Sequence, residues 1–163
     1  MGHLESARAA NVFADVTGLE LARALLAGGR RDEARGVLAS TPVQTDTDAP
    51  TAVALGDLAL QVDDLDTAVR FLQDAVRRAP EMAAAHQSLG VALSRLGRSA
   101  EAITELESAC RLDPSDPKAP YNLALLYARA GRLADARRLA QRALALDPNS
   151  PHSRALLEEL SRS

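Results

Sequence analysis

The sequence predicts an all-α solenoid of helix-turn-helix repeats closed by a C-terminal capping helix. Three observations carry that prediction. Aromatic residues make up only 2% of the 163 residues (Phe13, Phe71, Tyr121 and Tyr127, with no tryptophan). Pleated sheets of this size spend many aromatic and β-branched side chains on their faces. Here Ala, Leu and Arg, all strong helix formers, take their place. Second, residues recur every 34 positions: Ala34, Ala68, Ala102 and Ala136; Leu21, Leu55, Leu89 and Leu123; Pro80, Pro114 and Pro148. Gly29, Asp63, Gly97 and Gly131 keep the same interval, as do Ala75, Ala109 and Ala143. Third, each interval divides at that glycine or aspartate into two stretches with helical apolar spacing.

Residues 1–14 read as an N-terminal helical segment. Leu4-Glu5-Ser6-Ala7 recurs three periods later as Leu106-Glu107-Ser108-Ala109, so the segment is read as the remnant of a preceding repeat. Residues 15–48 form a degenerate repeat. It keeps Leu21-Ala22, Leu25, Gly29, Ala34 and Leu38 but loses the closing Ala and Pro. Pro42 should truncate its second helix and leave a polar loop over residues 40–50. Residues 49–82, 83–116 and 117–150 form three regular repeats. In the middle one, Leu89, Leu93 and Leu96 share a stripe, Gly97 breaks the helix, and Ala102, Ile103, Leu106 and Cys110 make a second stripe. Asp113-Pro114 ends it, because a proline disfavours helix at the residue before it. Gly90 and Ala102 are small enough to let the two helices of that repeat approach closely. Residues 151–163 read as a capping helix, with Leu156, Leu157 and Leu160 inward; such a cap covers the last repeat's apolar face.

These columns resemble the tetratricopeptide repeat family, whose pattern sets Leu-Gly, large apolar residues, two alanines and a proline at fixed offsets. His86, Leu89-Gly90, Leu93, Ala102, Leu106, Ala109 and Pro114 match it in the third repeat. Leu55-Gly56, Ala59, Ala68, Leu72, Ala75 and Pro80 match it in the second. Leu123-Ala124, Tyr127, Ala136, Ala140, Ala143 and Pro148 match it in the fourth. The resemblance implies a right-handed superhelical solenoid whose first helices line a concave groove for a peptide or helix of another protein. Carried over by position, the partner-binding groove takes Asp57 and Gln61 from the second repeat. The third repeat supplies Gln87, Ser88, Val91 and Arg95, and the fourth Tyr121, Asn122, Leu125 and Arg129. Arg95 and Arg129 are one period apart and should form a ridge, joined by Arg154 from the cap. Guanidinium groups pair bidentately with carboxylates, so an acidic peptide suits that ridge. The family's clamp for acidic chaperone tails needs a set of Lys, Asn and Arg of which only Asn122 fits in one frame and Lys118 in another. The sequence departs from that clamp.

Composition and motifs exclude several functions. The net charge of -3 gives no global pull toward nucleic acid. Cys110 stands alone and is read as a structural thiol, and His3, His86 and His152 lack metal-ligand spacing, so no metal or cofactor is expected. His86 falls at a packing position. Gly28-Gly29 and Gly36 carry no phosphate-binding fingerprint. No apolar run is long enough to insert in a membrane, and the charges within Met1–Ala10 are unlike a signal peptide, so a cytoplasmic location is expected.

The sequence therefore reads as a non-catalytic interaction scaffold or adaptor. Two alternatives stand beside it. One is a small chaperone shielding a secreted or unstable client, as small tetratricopeptide chaperones of bacterial secretion systems do. The other is a regulatory repeat domain of a larger protein. Acids without bases run from Asp46 to Asp66, while Arg129, Arg132, Arg137, Arg138 and Arg142 crowd the C-terminal part. That asymmetry makes self-association as a homodimer a further reading.

Overall fold

The computed structural model describes residues 17–43 and 47–162, and in it each interval opens with a helix that stops at a left-handed residue. Helix α1 covers residues 17–27, α2 Arg31–Ser40, α3 Ala49–Gln61 and α4 Leu65–Arg78. Glu81 closes a first compact unit and Met82 opens a second. The second unit holds α5 (Ala83–Arg95), α6 (Ser99–Leu112), α7 (Lys118–Arg129), α8 (Leu133–Leu146) and α9 (Pro151–Arg162). No strand occurs among the described residues. The readings of residues 1–14 as a repeat remnant, and of part of the 40–50 loop (residues 44–46), lie outside the described residues.

The turns explain the repeat. Gly29, Gly97 and Gly131 take φ of 73°, 78° and 75°, and Asp63 takes 61° at the matching position. A left-handed residue there lets the next amide reach back five residues: Arg30 N bonds Leu25 O at 2.8 Å, Asp64 N bonds Ala59 O at 2.9 Å, Arg98 N bonds Leu93 O at 2.9 Å, and Arg132 N bonds Tyr127 O at 2.8 Å. This is the Schellman closure of a helix C-terminus. Aspartate tolerates the conformation better than most side chains. Helix α2 has 10 residues where α4, α6 and α8 have 14; Pro42 follows its end. Helix α3 begins at Ala49, inside the expected loop, because Asp48 caps it by accepting a 2.6 Å bond from Thr51 N.

Within each unit the core is made of small residues facing leucines. In the first, α3 packs on α4 and α2 touches α3. A Cβ added at Gly56 would lie 2.5 Å from Leu72 Cγ. In the second unit α5 packs on α6, and a Cβ at Gly90 would lie 2.6 Å from Leu106 Cγ and 3.2 Å from Ala102 O. The helices approach so closely that only glycine fits without movement. The fourth repeat reaches the same end differently, with Ala124 and Ala140 at the corresponding positions, both fully buried. Ala75, Ala109 and Ala143 are buried as well. Helix α9 turns Leu156 and Leu160 inward, with Leu157 half-buried.

Three residues depart from the columns. Leu21 is 47% exposed, whereas Leu55, Leu89 and Leu123 are between 0% and 4% exposed. Cys110 is half-buried rather than part of the core; partial desolvation raises its thiol pKa, with the Arg142 charge opposing. Asp74 is the reverse case, a carboxylate 1% exposed within α4 and paired with Arg77 and Arg78 of the same helix.

Candidate functional site

Helix α7 lies between α5 and α9 and carries three hollows along its length, all within the second unit. At its N-terminal end, Pro117, Lys118, Tyr121 and Asn122 face Asp147, Ser150, His152 and Ser153 around about 410 Å³. The lining is mostly apolar. The rings of Tyr121 and His152 stand 6.3 Å apart and tilted by 50°. Asp147 is held by a 3.2 Å bond from Asn149 N. A smaller hollow of about 150 Å³ follows on the α5 side, lined by Val91, Ser94, Arg95, Asn122, Leu125 and Arg129. A third, again about 410 Å³, opens on the α9 side with Leu125, Arg129, Leu133, Leu156 and Glu159. Asn122 joins the first two hollows, and Leu125 and Arg129 join the second and third.

The local sequence accounts for this strip. Leu123, Ala124, Leu126 and Tyr127 turn into the repeat and are buried. Helical periodicity then leaves Tyr121, Asn122, Leu125 and Arg129 on the other face. Arg95 and Arg129, one period apart, line a single hollow. Both are exposed, and Arg129 makes no hydrogen bond or ion pair among the described residues. A carboxylate entering between two guanidinium groups would gain charge-assisted hydrogen bonds.

Other expected residues are placed differently. Gln87 and Ser88 lie on α5 toward its N-terminus, half-buried. Asp57 and Gln61 belong to α3 of the first unit, half-buried and exposed respectively. Arg154 is engaged away from the arginine pair, donating a 3.0 Å bond to Pro148 O. It falls at the register position of His86 and Pro120, not that of Arg95 and Arg129, which explains why it does not extend the ridge. Lys118 and His152, by contrast, were not among the expected groove residues, although both line the first hollow. They too are one period apart, the signal that could have revealed them.

The remaining C-terminal arginines are spent on internal contacts. Arg132 and Arg138 both pair with Asp135, at 2.6 Å and 2.9 Å. Arg132 also covers the Tyr127 ring at 4.0 Å, and Tyr127 donates a 2.8 Å hydrogen bond to Glu107. Arg137 bonds Leu160 O, and Arg142 bonds Pro114 O at 3.2 Å. His86, buried at 8% exposure, holds Glu105 at 2.6 Å through Nδ1. Among the described residues no three His, Cys, Asp or Glu side chains gather in a metal-holding group, and no helix is long and apolar enough to cross a membrane.

Comparisons with known proteins agree with this architecture. A family model described as tetratricopeptide repeat matches residues 53–117 and again 94–151, and a second model of that description matches residues 16–40. No curated protein matches the sequence. Among solved structures, MamA from Desulfovibrio magneticus RS-1 is similar with a TM-score of 0.75 at 21% identity, over 91% of this chain and 84% of that one. YrrB, described as a TPR protein with an unusual peptide-binding site, gives 0.76 at 16% identity, over 96% and 86%. The first TPR of Spaghetti, bound to an HSP90 peptide, gives 0.68 at 21% identity, over 71% and 91%. At these identities the likeness concerns the fold.

Proposed function

Because the chain belongs to the tetratricopeptide repeat family, we propose that it is a non-catalytic adaptor whose second unit holds a peptide or helix of a partner protein against α5, α7 and α9. The observation that carries this reading is the strip of three hollows joined through Asn122, Leu125 and Arg129, with Arg95 and Arg129 facing one of them. Such a surface offers apolar recesses beside a positive centre, which favours a segment with an acidic side chain. Two structurally similar proteins, one bound to a peptide and one with a peptide-binding site, support the same reading.

The test is affinity capture from the source cells, run with the native chain and with Arg95→Ala/Arg129→Ala. The double variant should lose the partner while its helicity stays unchanged. Undiminished capture would overturn the reading.

A further inference from the structure

The two ends of the α7 strip differ in chemistry. The hollow at the N-terminal end presents the Pro117 ring and the tilted pair of Tyr121 and His152, with a mostly apolar lining. Aromatic rings prefer tilted or offset neighbours, so such a pair accepts a third ring at its edge. The two charges at that rim, Lys118 and Asp147, are of opposite sign and give the hollow no net preference for a charged side chain. A volume of about 410 Å³ lies within the range of small-ligand pockets and admits an aromatic side chain. The other end presents Arg129, exposed and unpartnered among the described residues.

Eight residues separate Tyr121 from Arg129, about 12 Å along a helix rising about 1.5 Å per residue. An extended peptide covers that distance in three or four residues at about 3.3 Å each. Building on the peptide-binding reading above, we infer that the ligand is a linear segment of another protein with an aromatic residue and, three or four positions away, an Asp or Glu. The aromatic ring seats in the hollow against the edge of the Tyr121–His152 pair, and the carboxylate reaches Arg129. Neither anchor suffices alone, since the first is sequence-tolerant stacking and the second an exposed ion pair, weak by itself. Their spacing carries the specificity.

A displayed library of random linear twelve-residue peptides, selected against the full chain, tests this. The expected outcome is enrichment of an aromatic residue paired with an acid at a separation of three or four. The enriched peptide, synthesised and labelled, should bind about tenfold more weakly to Tyr121→Ala and to His152→Ala. His152 is exposed, so its variant preserves the readout if Tyr121→Ala is less stable. Selection on Arg129→Glu should exchange the acid for a base. Enriched peptides without that spacing, or with affinity indifferent to Tyr121 and His152, would overturn the two-anchor inference and leave the peptide-binding reading standing. A library with no enrichment would overturn the linear-peptide form of that reading as well.

Discussion

Alanine at position 90 would put a methyl carbon 2.6 Å from Leu106 Cγ and 3.0 Å from its Cδ2, closer than such atoms pack. Two effects then compete. Gly→Ala in a helix interior gains about 1 kcal/mol in propensity, while overpacking a filled contact costs about 1–3 kcal/mol. Leu106 is fully buried, has Ala102 beneath it and has little room to yield. The net expectation for Gly90→Ala is a loss of about 1 kcal/mol. Leu106→Ala alone should lose about 3 kcal/mol through its cavity. In the double variant the new methyl enters the space that Leu106 vacates, reproducing the Ala124 and Ala140 pairing of the fourth repeat. Its loss should therefore fall short of the summed single losses by at least about 1 kcal/mol. The first repeat does seat Ala22 with Leu38, both fully buried, so the combination is attainable when the helices are spaced for it. The cost lies in imposing it on helices spaced for glycine. Urea unfolding followed by helical circular dichroism, with unchanged slopes, measures all four corners. Additivity within 0.5 kcal/mol, or a Gly90→Ala chain stabilised by the full propensity gain, would refute the close-approach argument.

The same substitution should act with opposite sign at two open positions. Gly36 lies inside α2 and Gly97 at a left-handed turn, and a Cβ at either would meet nothing within 4 Å. Gly36→Ala should stabilise by about 1 kcal/mol and Gly97→Ala destabilise by about 1–2 kcal/mol, read as shifts of melting temperature; shifts of equal sign would contradict the backbone account. Asp113 accepts bonds from Ser115 Oγ at 2.6 Å and Ser115 N at 3.0 Å, and those bonds, the hydroxyl's first, lower its pKa. A depressed carboxylate contributes stability above its unfolded pKa and loses it as pH falls through the folded value. Ser115→Ala should move the Asp113 titration upward, toward the ordinary carboxylate range, in carbon-detected NMR; an unmoved titration would mean that the hydroxyl bond does not form.

What could be read in the sequence was what the backbone period controls. Turn positions follow from residues that accept left-handed φ, and Asp63 stands in for glycine there because its own backbone permits it. Close contacts follow from small residues at fixed offsets, as with Gly90 and Ala102. The period does not control where long side chains end. Arg132, Arg137, Arg138 and Arg142 count in a sequence as a basic cluster, yet each reaches a carboxylate or a carbonyl of its own unit. Arg154 likewise folds back onto Pro148 O. Leu21 matches its column in spelling but not in burial. The pairing of Tyr121 with His152 joins residues of different helices, and its only trace in the sequence is that His152 repeats Lys118.

The residue just before a second helix is arginine in three of the repeats. Arg30 forks onto Glu33 (2.6 and 2.5 Å), Arg98 onto Glu101 (2.7 and 2.6 Å), and Arg132 onto Asp135 (2.9 and 2.6 Å). In the second repeat Asp64 stands there, and its carboxylate accepts instead from Thr67 N at 3.2 Å. The three forks lie at the surface, where mobile ions screen them; the aspartate cap is a bond to the backbone and largely escapes that screening. The tightness of the turns is therefore unequally tied to the surrounding electrolyte. Raising ionic strength should speed amide hydrogen exchange in the first turns of α2, α6 and α8 while leaving α4 nearly as it was, making one helix a fixed point in an otherwise salt-responsive series.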